Sequence, residues 1–238
     1  MKNPNDLEYA QTLFEGEGVN ISCEGERHIG AVIGSESYKE SFVKTKIENW
    51  IKDVNNLAEI AKEEPQAALS AYNIGLSKRW SFVQRTIDGI GELFQPLEEV
   101  IRSKLIPALI GREVSDLERR IIALPYRYGG LGMEVPSDSA DREYKTSREI
   151  TKKLAEMIVN QDSNIASLDE EYMKSAKSRM KAEKENRLKQ EAESISELLP
   201  DAQKIAFKGA QEKGASIWHS ALPLQSLGYA FNKQHSNM

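Results

Sequence analysis

The chain has 238 residues, of which 39% are hydrophobic and 29% charged, and its formal net charge is −5 at pH 7. This length suits one large domain or two small ones, and the negative total excludes a molecule that is basic all over. Any nucleic-acid-binding surface must therefore be local. The single cysteine, Cys23, excludes an internal disulfide and a cysteine-cluster metal site. It is typical of a reducing compartment, so we expect an intracellular protein of the cytoplasm or nucleus. No apolar run approaches the ~20 residues of a membrane span, so we expect no membrane contact.

The first 36 residues predict a short helix followed by a β-hairpin. Residues 6–14 are helical in pattern, 19–22 and 28–33 alternate like two strands, and 24–26 predict the turn between them. A hairpin alone is marginally stable and needs a surface to pack on. We therefore expect the chain to begin inside a larger fold.

Residues 37–61 give the clearest helical pattern. Ser37 and Glu40 predict a capping box at its start. Apolar residues then recur with a 4-3-4-3-4 spacing, which predicts a narrow seam for packing on other helices. The seam consists of Val43, Ile47, Trp50, Val54, Leu57 and Ala61.

Residues 65–87 predict the helix around which the chain is organised, with Pro65 suited to its first turn. An apolar stripe runs along it: Leu69, Tyr72, Leu76, Trp80 and Val83. A polar stripe lies beside it: Ser77, Lys78, Ser81, Gln84 and Arg85. Such a helix packs by the first stripe and exposes Lys78 and Arg85 on the second. On composition alone these charges are ordinary solvated ones.

Two more helices come next, after a helical turn predicted at 88–94. Pro96 opens the first, and Pro107 is expected to kink or end it. Its inward residues are Leu97, Val100, Ile101, Leu105 and Leu109. Ser115 and Glu118 predict a capping box for the second, which Pro125 ends. The glycine-rich residues 126–133 lack the spacing of a nucleotide-binding loop and predict close backbone packing or a tight turn.

The last third is predicted to be helical and increasingly charged. Residues 137–160 form an amphipathic pattern, whereas 166–199 are dense in Lys, Arg and Glu with sparse apolar residues. The latter pattern predicts a solvated helix or a mobile linker. A short helix is expected between 201 and 214, and residues 216–224 are expected to be extended.

The sequence offers no recognisable catalytic or metal centre. The histidines His28, His219 and His235 are far apart, and no two aspartates are adjacent, whereas polymerase chemistry needs paired metals held by aspartates. We therefore predict no catalytic residue, no metal and no cofactor. An enzyme built on Cys23 would need a thiol of lowered pKa, and a structural thiol in a hairpin is the commoner case.

Several strings resemble the reverse transcriptases of retroelements common in invertebrate genomes. GERHIGAVIGS at 25–35 resembles the primer-grip hairpin that comes after the catalytic palm motifs, and LPYRYGGLG at 124–132 also matches. Further strings occur in the family's order at 64–68, 75–80, 85–87, 96–98, 106–112, 211–216 and 222–224. The resemblance covers most of the chain.

The resemblance implies a division of the chain into four parts. Residues 1–36 would be the end of the palm, 37–135 a helical thumb, 136–200 a helical connection with a charged linker, and 201–238 the truncated start of a downstream module. The family's catalytic aspartates lie upstream of the primer grip, and a Cys/His-rich segment lies downstream. The implied fold is mostly α: a thumb-like helical bundle preceded by a short β-hairpin, with a charged helical linker and a short C-terminal segment.

The implied function is that of a truncated RNA-directed DNA polymerase with no enzymatic activity of its own. The implied partner is a primer–template duplex, bound through its sugar–phosphate backbone without sequence preference. The candidate binding residues are Arg27 and His28 at the grip, Lys78, Arg79 and Arg85 on the central helix, and, as a second line, Arg102, Lys104 and Arg112. The alternative is a helical protein-interaction module, in which the 37–61 seam pairs with a partner helix.

Overall fold

The computed structural model describes residues 4–19, 21–162 and 170–215. The chain is mostly α-helical, with a two-stranded antiparallel hairpin near its N-terminus. The prediction of a mostly α fold, a bundle of helices preceded by a short hairpin, is confirmed. The predicted extended segment at 216–224, together with His219 and His235, lies outside the described residues.

The elements succeed one another with short connections. The strands are β1 Gly25–His28 and β2 Ala31–Gly34. The α-helices are α1 Pro4–Leu13, α2 Glu36–Ala61, α3 Pro65–Ala71, α4 Ser77–Thr86, α5 Gln95–Val100, α6 Ile106–Ile110, α7 Asp116–Ala123, α8 Pro136–Val159, α9 Glu170–Leu198 and α10 Asp201–Ala210. Two π-helical turns, Tyr72–Leu76 and Ile101–Leu105, join α3 to α4 and α5 to α6, and 3₁₀ turns lie at Gly91–Phe94 and Tyr126–Tyr128.

The hairpin lies later in the chain than its pattern predicted. Gly25 pairs with Gly34 and His28 with Ala31, so the turn is Ile29–Gly30 and not 24–26. Both turn residues have positive φ, 47° at Ile29 and 83° at Gly30, as a two-residue type I′ turn requires. The prediction was wrong because a β-branched residue is rarely found at the first position of such a turn.

Helix α2 starts one residue earlier than predicted and uses another cap. The Ser35 side chain accepts a hydrogen bond from the Tyr38 backbone N–H at 3.3 Å, so the capping box predicted at Ser37 and Glu40 is wrong. The predicted seam is confirmed as core, because every one of its residues is buried. It packs on the chain's own helices.

The first core is built around aromatic side chains of three helical segments. The Trp50 ring lies 6.0 Å from Trp80 and 6.1 Å from Phe94, and the Tyr72 ring lies 5.8 Å from Trp80. The apolar stripe predicted for residues 65–87 therefore faces the core, with Leu76 partly buried at its edge. Ala140 of α8 packs into this same core.

Pro107 neither ends nor breaks its helix. The π-helical turn Ile101–Leu105 comes immediately before the short α6, which contains Pro107 and runs to Ile110. A π-turn rearranges the backbone hydrogen bonds at the place where proline cannot donate one. The capping box of Ser115 and Glu118 at the start of α7 is confirmed.

Helix α9 corrects the prediction of a solvated helix or mobile linker. Its second half carries a second core, in which α9 residues and Leu199 surround Leu124, with Phe207 of α10 packed beside them. The buried residues of this stretch are Leu188, Ala192, Ile195 and Leu199. These residues have a 4-3-4 spacing, which the surrounding charges obscured in the sequence. In the described part of the chain, no helix has both the length and the apolar content to cross a membrane.

Candidate functional site

Helix α4 presents a basic stripe with an aromatic ring in its middle. Lys78, Phe82 and Arg85 are four and three residues apart, so they share one face of the helix. All three are exposed, and Phe82 leaves 45% of its surface open. We call these three residues the basic stripe.

The opposite side of α4 explains why the stripe faces outward. Trp80 and Val83 are buried in the first core. Gln84, which the sequence placed on the polar face, is also buried: its Nε2 donates to Pro136 O at 2.9 Å, and Ser139 Oγ donates to its Oε1 at 3.3 Å. These bonds fix α4 against the first turn of α8 and set the rotation of the stripe.

The two cations of the stripe differ in their electrostatic partners. Arg85 Nε lies 2.8 Å from Glu143 Oε2 on α8, so much of its charge is neutralised. Among the described residues, Lys78 forms no ion pair. Lys78 is therefore the cation of the stripe that is free to meet a negatively charged partner.

A cleft of about 270 Å³ opens beside the stripe. Lys78 and Arg85 line one wall, Arg127 and Lys184 line other parts of it, and Glu134 and Glu143 are its acidic groups. The charged side chains of the lining thus sum to +2. Because the whole chain carries −5, this is a local reversal of sign.

Tyr72 lies at the buried side of the same cleft. Its hydroxyl is buried and has no hydrogen-bond partner. Burial raises the pKa of this phenol well above its usual value, so the group stays neutral and can donate a hydrogen bond.

The glycine-rich loop forms the wall opposite α4. A Cβ at Gly130 would lie 2.0 Å from Leu124 O and 2.3 Å from Ile121 O, so the loop backbone packs directly on the end of α7. Asn73, in the first π-turn, donates to Leu131 O at 2.9 Å and to the Tyr126 hydroxyl at 2.8 Å. The loop thus serves close packing, as the sequence predicted, and it is tied to the helix that bears the stripe.

The hairpin tip lies against the stripe. A Cβ at Gly30 would be 3.5 Å from Phe82 Cε1, so the turn backbone touches the exposed ring. Arg27 and His28 are exposed on β1, immediately before this turn. The fold therefore brings the hairpin that carries both residues next to the basic stripe.

The remaining sequence-predicted cations lie elsewhere. Arg79 forms an ion pair with Asp53 of α2, and Arg102 forms one with Asp116. Arg112 Nη2 lies 2.5 Å from Glu118 Oε1, and its hydrogen bond to this carboxylate, with the Ser115 backbone N–H, lowers the pKa of Glu118 to about 2.

Lys104 and Arg112 line a separate, open cavity of about 480 Å³, between the end of α2 and α6. Arg79, Arg102 and Arg112 are each neutralised by a carboxylate, so they are weaker candidates than Lys78.

Sequence reasoning missed three residues of the site. Phe82 was not assigned a role, although its spacing from Lys78 and Arg85 was a usable signal. Arg127 and Lys184 join the cleft only through tertiary packing, so no local pattern marks them. Within residues 4–19, 21–162 and 170–215, no group of three or more His, Cys, Asp or Glu residues is arranged to hold a metal ion.

Comparison with known proteins adds no assignment. The chain matches no protein-family model, no curated protein and no solved structure. The function of the chain must therefore be inferred from its fold, its site geometry and the sequence resemblance.

Proposed function

We propose that this chain binds a primer–template RNA/DNA duplex through its phosphates, without sequence preference, as the thumb region of a retroelement-type reverse transcriptase does. In this proposal the chain incorporates no nucleotides by itself, because it lacks the paired aspartates of a polymerase. The basic stripe of α4 is the contact surface.

The observation that carries the proposal is the exposed, unpaired ammonium of Lys78 on one helix face with Phe82 and Arg85. Seven residues of α-helix extend about 10 Å. This span matches about three phosphate steps of a duplex strand, which are about 3.4 Å each along the axis. One strand can therefore meet both ends of the stripe.

The surroundings of the stripe support the same partner. Arg127 and Lys184 extend positive charge into the neighbouring cleft, and the hairpin tip brings exposed Arg27 and His28 beside Phe82. Cations around an exposed ring suit a partner with a charged backbone and apolar sugar or base surfaces. Since the net charge of the chain is −5, we expect weak binding that depends strongly on salt.

The test is duplex affinity as a function of salt for the whole chain and for Lys78→Ala, Arg85→Ala and the double variant. The Lys78 change should weaken binding equally for unrelated duplex sequences. It should also flatten the slope of log affinity against log salt by about 0.9 for a lost phosphate contact. The Arg85 change should also weaken binding, because it leaves the Glu143 carboxylate unpaired beside the duplex.

Lys177→Ala with Lys189→Ala is the charge-matched control, because both lysines are exposed on α9 and line no part of the cleft. The control should leave the salt slope unchanged. Equal slopes for wild type and the Lys78 and Arg85 double variant would reject the stripe as the binding surface. Magnesium-dependent nucleotide incorporation on a primed template would reject the non-catalytic assignment.

The alternative of a helical interaction module loses its original basis. The α2 seam that was to pair with a partner helix is buried in the chain's own core. A protein partner would have to use another surface. Absence of duplex binding by wild type at low salt would bring this alternative forward.

A further inference from the structure

A second positively charged site lies between α8 and α9, beyond the cleft of the basic stripe. Two small cavities there, of about 250 and 290 Å³, are lined by both Arg142 of α8 and Arg187 of α9. Glu134 also lines both cavities. The two arginines come from different helices, so tertiary packing alone places them together.

The carboxylates nearby do not neutralise these two arginines. Glu134 lies 3.0 Å from Lys184 Nζ, and Glu143 is bound by Arg85 at 2.8 Å. Among the described residues, neither Arg142 nor Arg187 forms an ion pair. Desolvation, and then the positive charge of Arg187, lower the pKa of the Arg142 guanidinium, which means that its charged form is disfavoured where it stands.

We propose that Arg142 and Arg187 bind a phosphate group between α8 and α9. A guanidinium offers parallel N–H donors that match two phosphate oxygens, and two such groups can hold one dianion from both sides. The cavities are smaller than the 300–1,000 Å³ typical of pockets for drug-sized ligands. Their size therefore suits a compact oxyanion or one phosphate of a longer molecule.

The site is independent of the proposed duplex binding, because Lys78, Phe82 and Arg85 line neither cavity. The Lys78→Ala variant should keep its response to phosphate. Failure of one proposal therefore leaves the other standing.

The experiment measures the thermal unfolding midpoint and the binding isotherm of the whole chain with inorganic phosphate, against chloride at equal ionic strength. Phosphate should raise the midpoint of wild type, because it binds only the folded state. Arg142→Gln with Arg187→Gln should weaken the apparent Kd about tenfold or more, in line with lost hydrogen bonds to a charged group. Arg148→Gln is the matched control, because it changes an exposed arginine of α8 that lines neither cavity.

The double variant also has a second readout. In phosphate-free buffer it should be at least as stable as wild type, since two like charges are removed from one cavity. The proposal is overturned by either of two results: a phosphate response equal to that of chloride, or an unchanged response in the double variant. Unfolding of the double variant without phosphate would also overturn it, because the arginines would then be structural.

A competition arm identifies the source of the phosphate. If a nucleic-acid duplex displaces inorganic phosphate from wild type, the site binds a backbone phosphate. If phosphate stays bound in the presence of duplex, the site takes a free phosphate compound. Both results require the site, and they differ only in its natural ligand.

Discussion

Arg119 and Glu98 form a two-bond ion pair in the interior, with Nε 2.7 Å from Oε1 and Nη2 2.8 Å from Oε2. The third arm of Arg119 donates to Met133 O at 2.8 Å. Since Arg119 is only 4% exposed, one side chain joins α7 to α5 and to the end of the glycine-rich loop. This loop is the wall of the cleft that faces the basic stripe.

Arg119→Ala should lower the free energy of unfolding by about 3–5 kcal/mol, because it leaves the Glu98 carboxylate buried without a partner. Arg119→Lys should rescue little, since an ammonium cannot make the two parallel bonds. Chemical denaturation measures both. Arg112→Ala, which breaks an exposed pair, is the control and should change little. A Lys variant as stable as wild type would contradict the role of the two-bond geometry.

Phe82→Ala should weaken duplex binding and leave the salt slope unchanged, because the change removes an apolar contact and no charge. The fold should persist, since the ring is largely exposed. The measurement is the same salt titration as for Lys78→Ala. A changed slope would mean that the ring positions the neighbouring cations and does not contact the nucleic acid itself.

Gly130→Ala should destabilise the chain by about 3 kcal/mol or more, because its Cβ would overlap two backbone carbonyls that cannot move away. Gly209→Ala is the matched control. This glycine lies in α10 with open space around it, and alanine there should raise stability by roughly 0.5 kcal/mol. Thermal or denaturant unfolding separates the two. Equal effects would show that the loop can open away from the end of α7.

Ile195→Ala should cost about 2–5 kcal/mol, since this side chain is fully buried in the second core. Leu198→Ala on the same helix should stay within about 0.5 kcal/mol, because 60% of Leu198 is exposed. A small effect at both positions would return α9 to the solvated helix that its composition predicted.

The sequence predicted helices well where local chemistry decides their ends. Ser115 with Glu118 and Pro125 bound α7 as expected, and Pro65 begins α3. Two signals misled at the N-terminus. The alternation at 19–22 resembled a strand, and the Ser37–Glu40 spacing resembled a cap, although Ser35 provides it. Both errors came from local patterns with a close competitor nearby.

The rest of the site depends on contacts between distant residues. Gln84 and Arg119 are polar residues with buried partners 52 and 21 positions away, respectively, and no periodicity marks either one. The cleft likewise combines Lys78 with Lys184, which lie on helices far apart in the chain. Period and capping decide which residues can be helical, whereas these pairings depend on the three-dimensional packing.

The π-helical turn Tyr72–Leu76 gives this helix an unusual sensitivity to insertion and deletion. Such a turn contains about one residue more than an α-helical turn. Loss of one residue there would let the helix run on as regular α-helix and rotate α4 by about 100° relative to α3. A one-codon deletion could thus turn Lys78 and Arg85 away from the cleft while both stay in the sequence. The surface is encoded by how many residues precede it as much as by which residues form it.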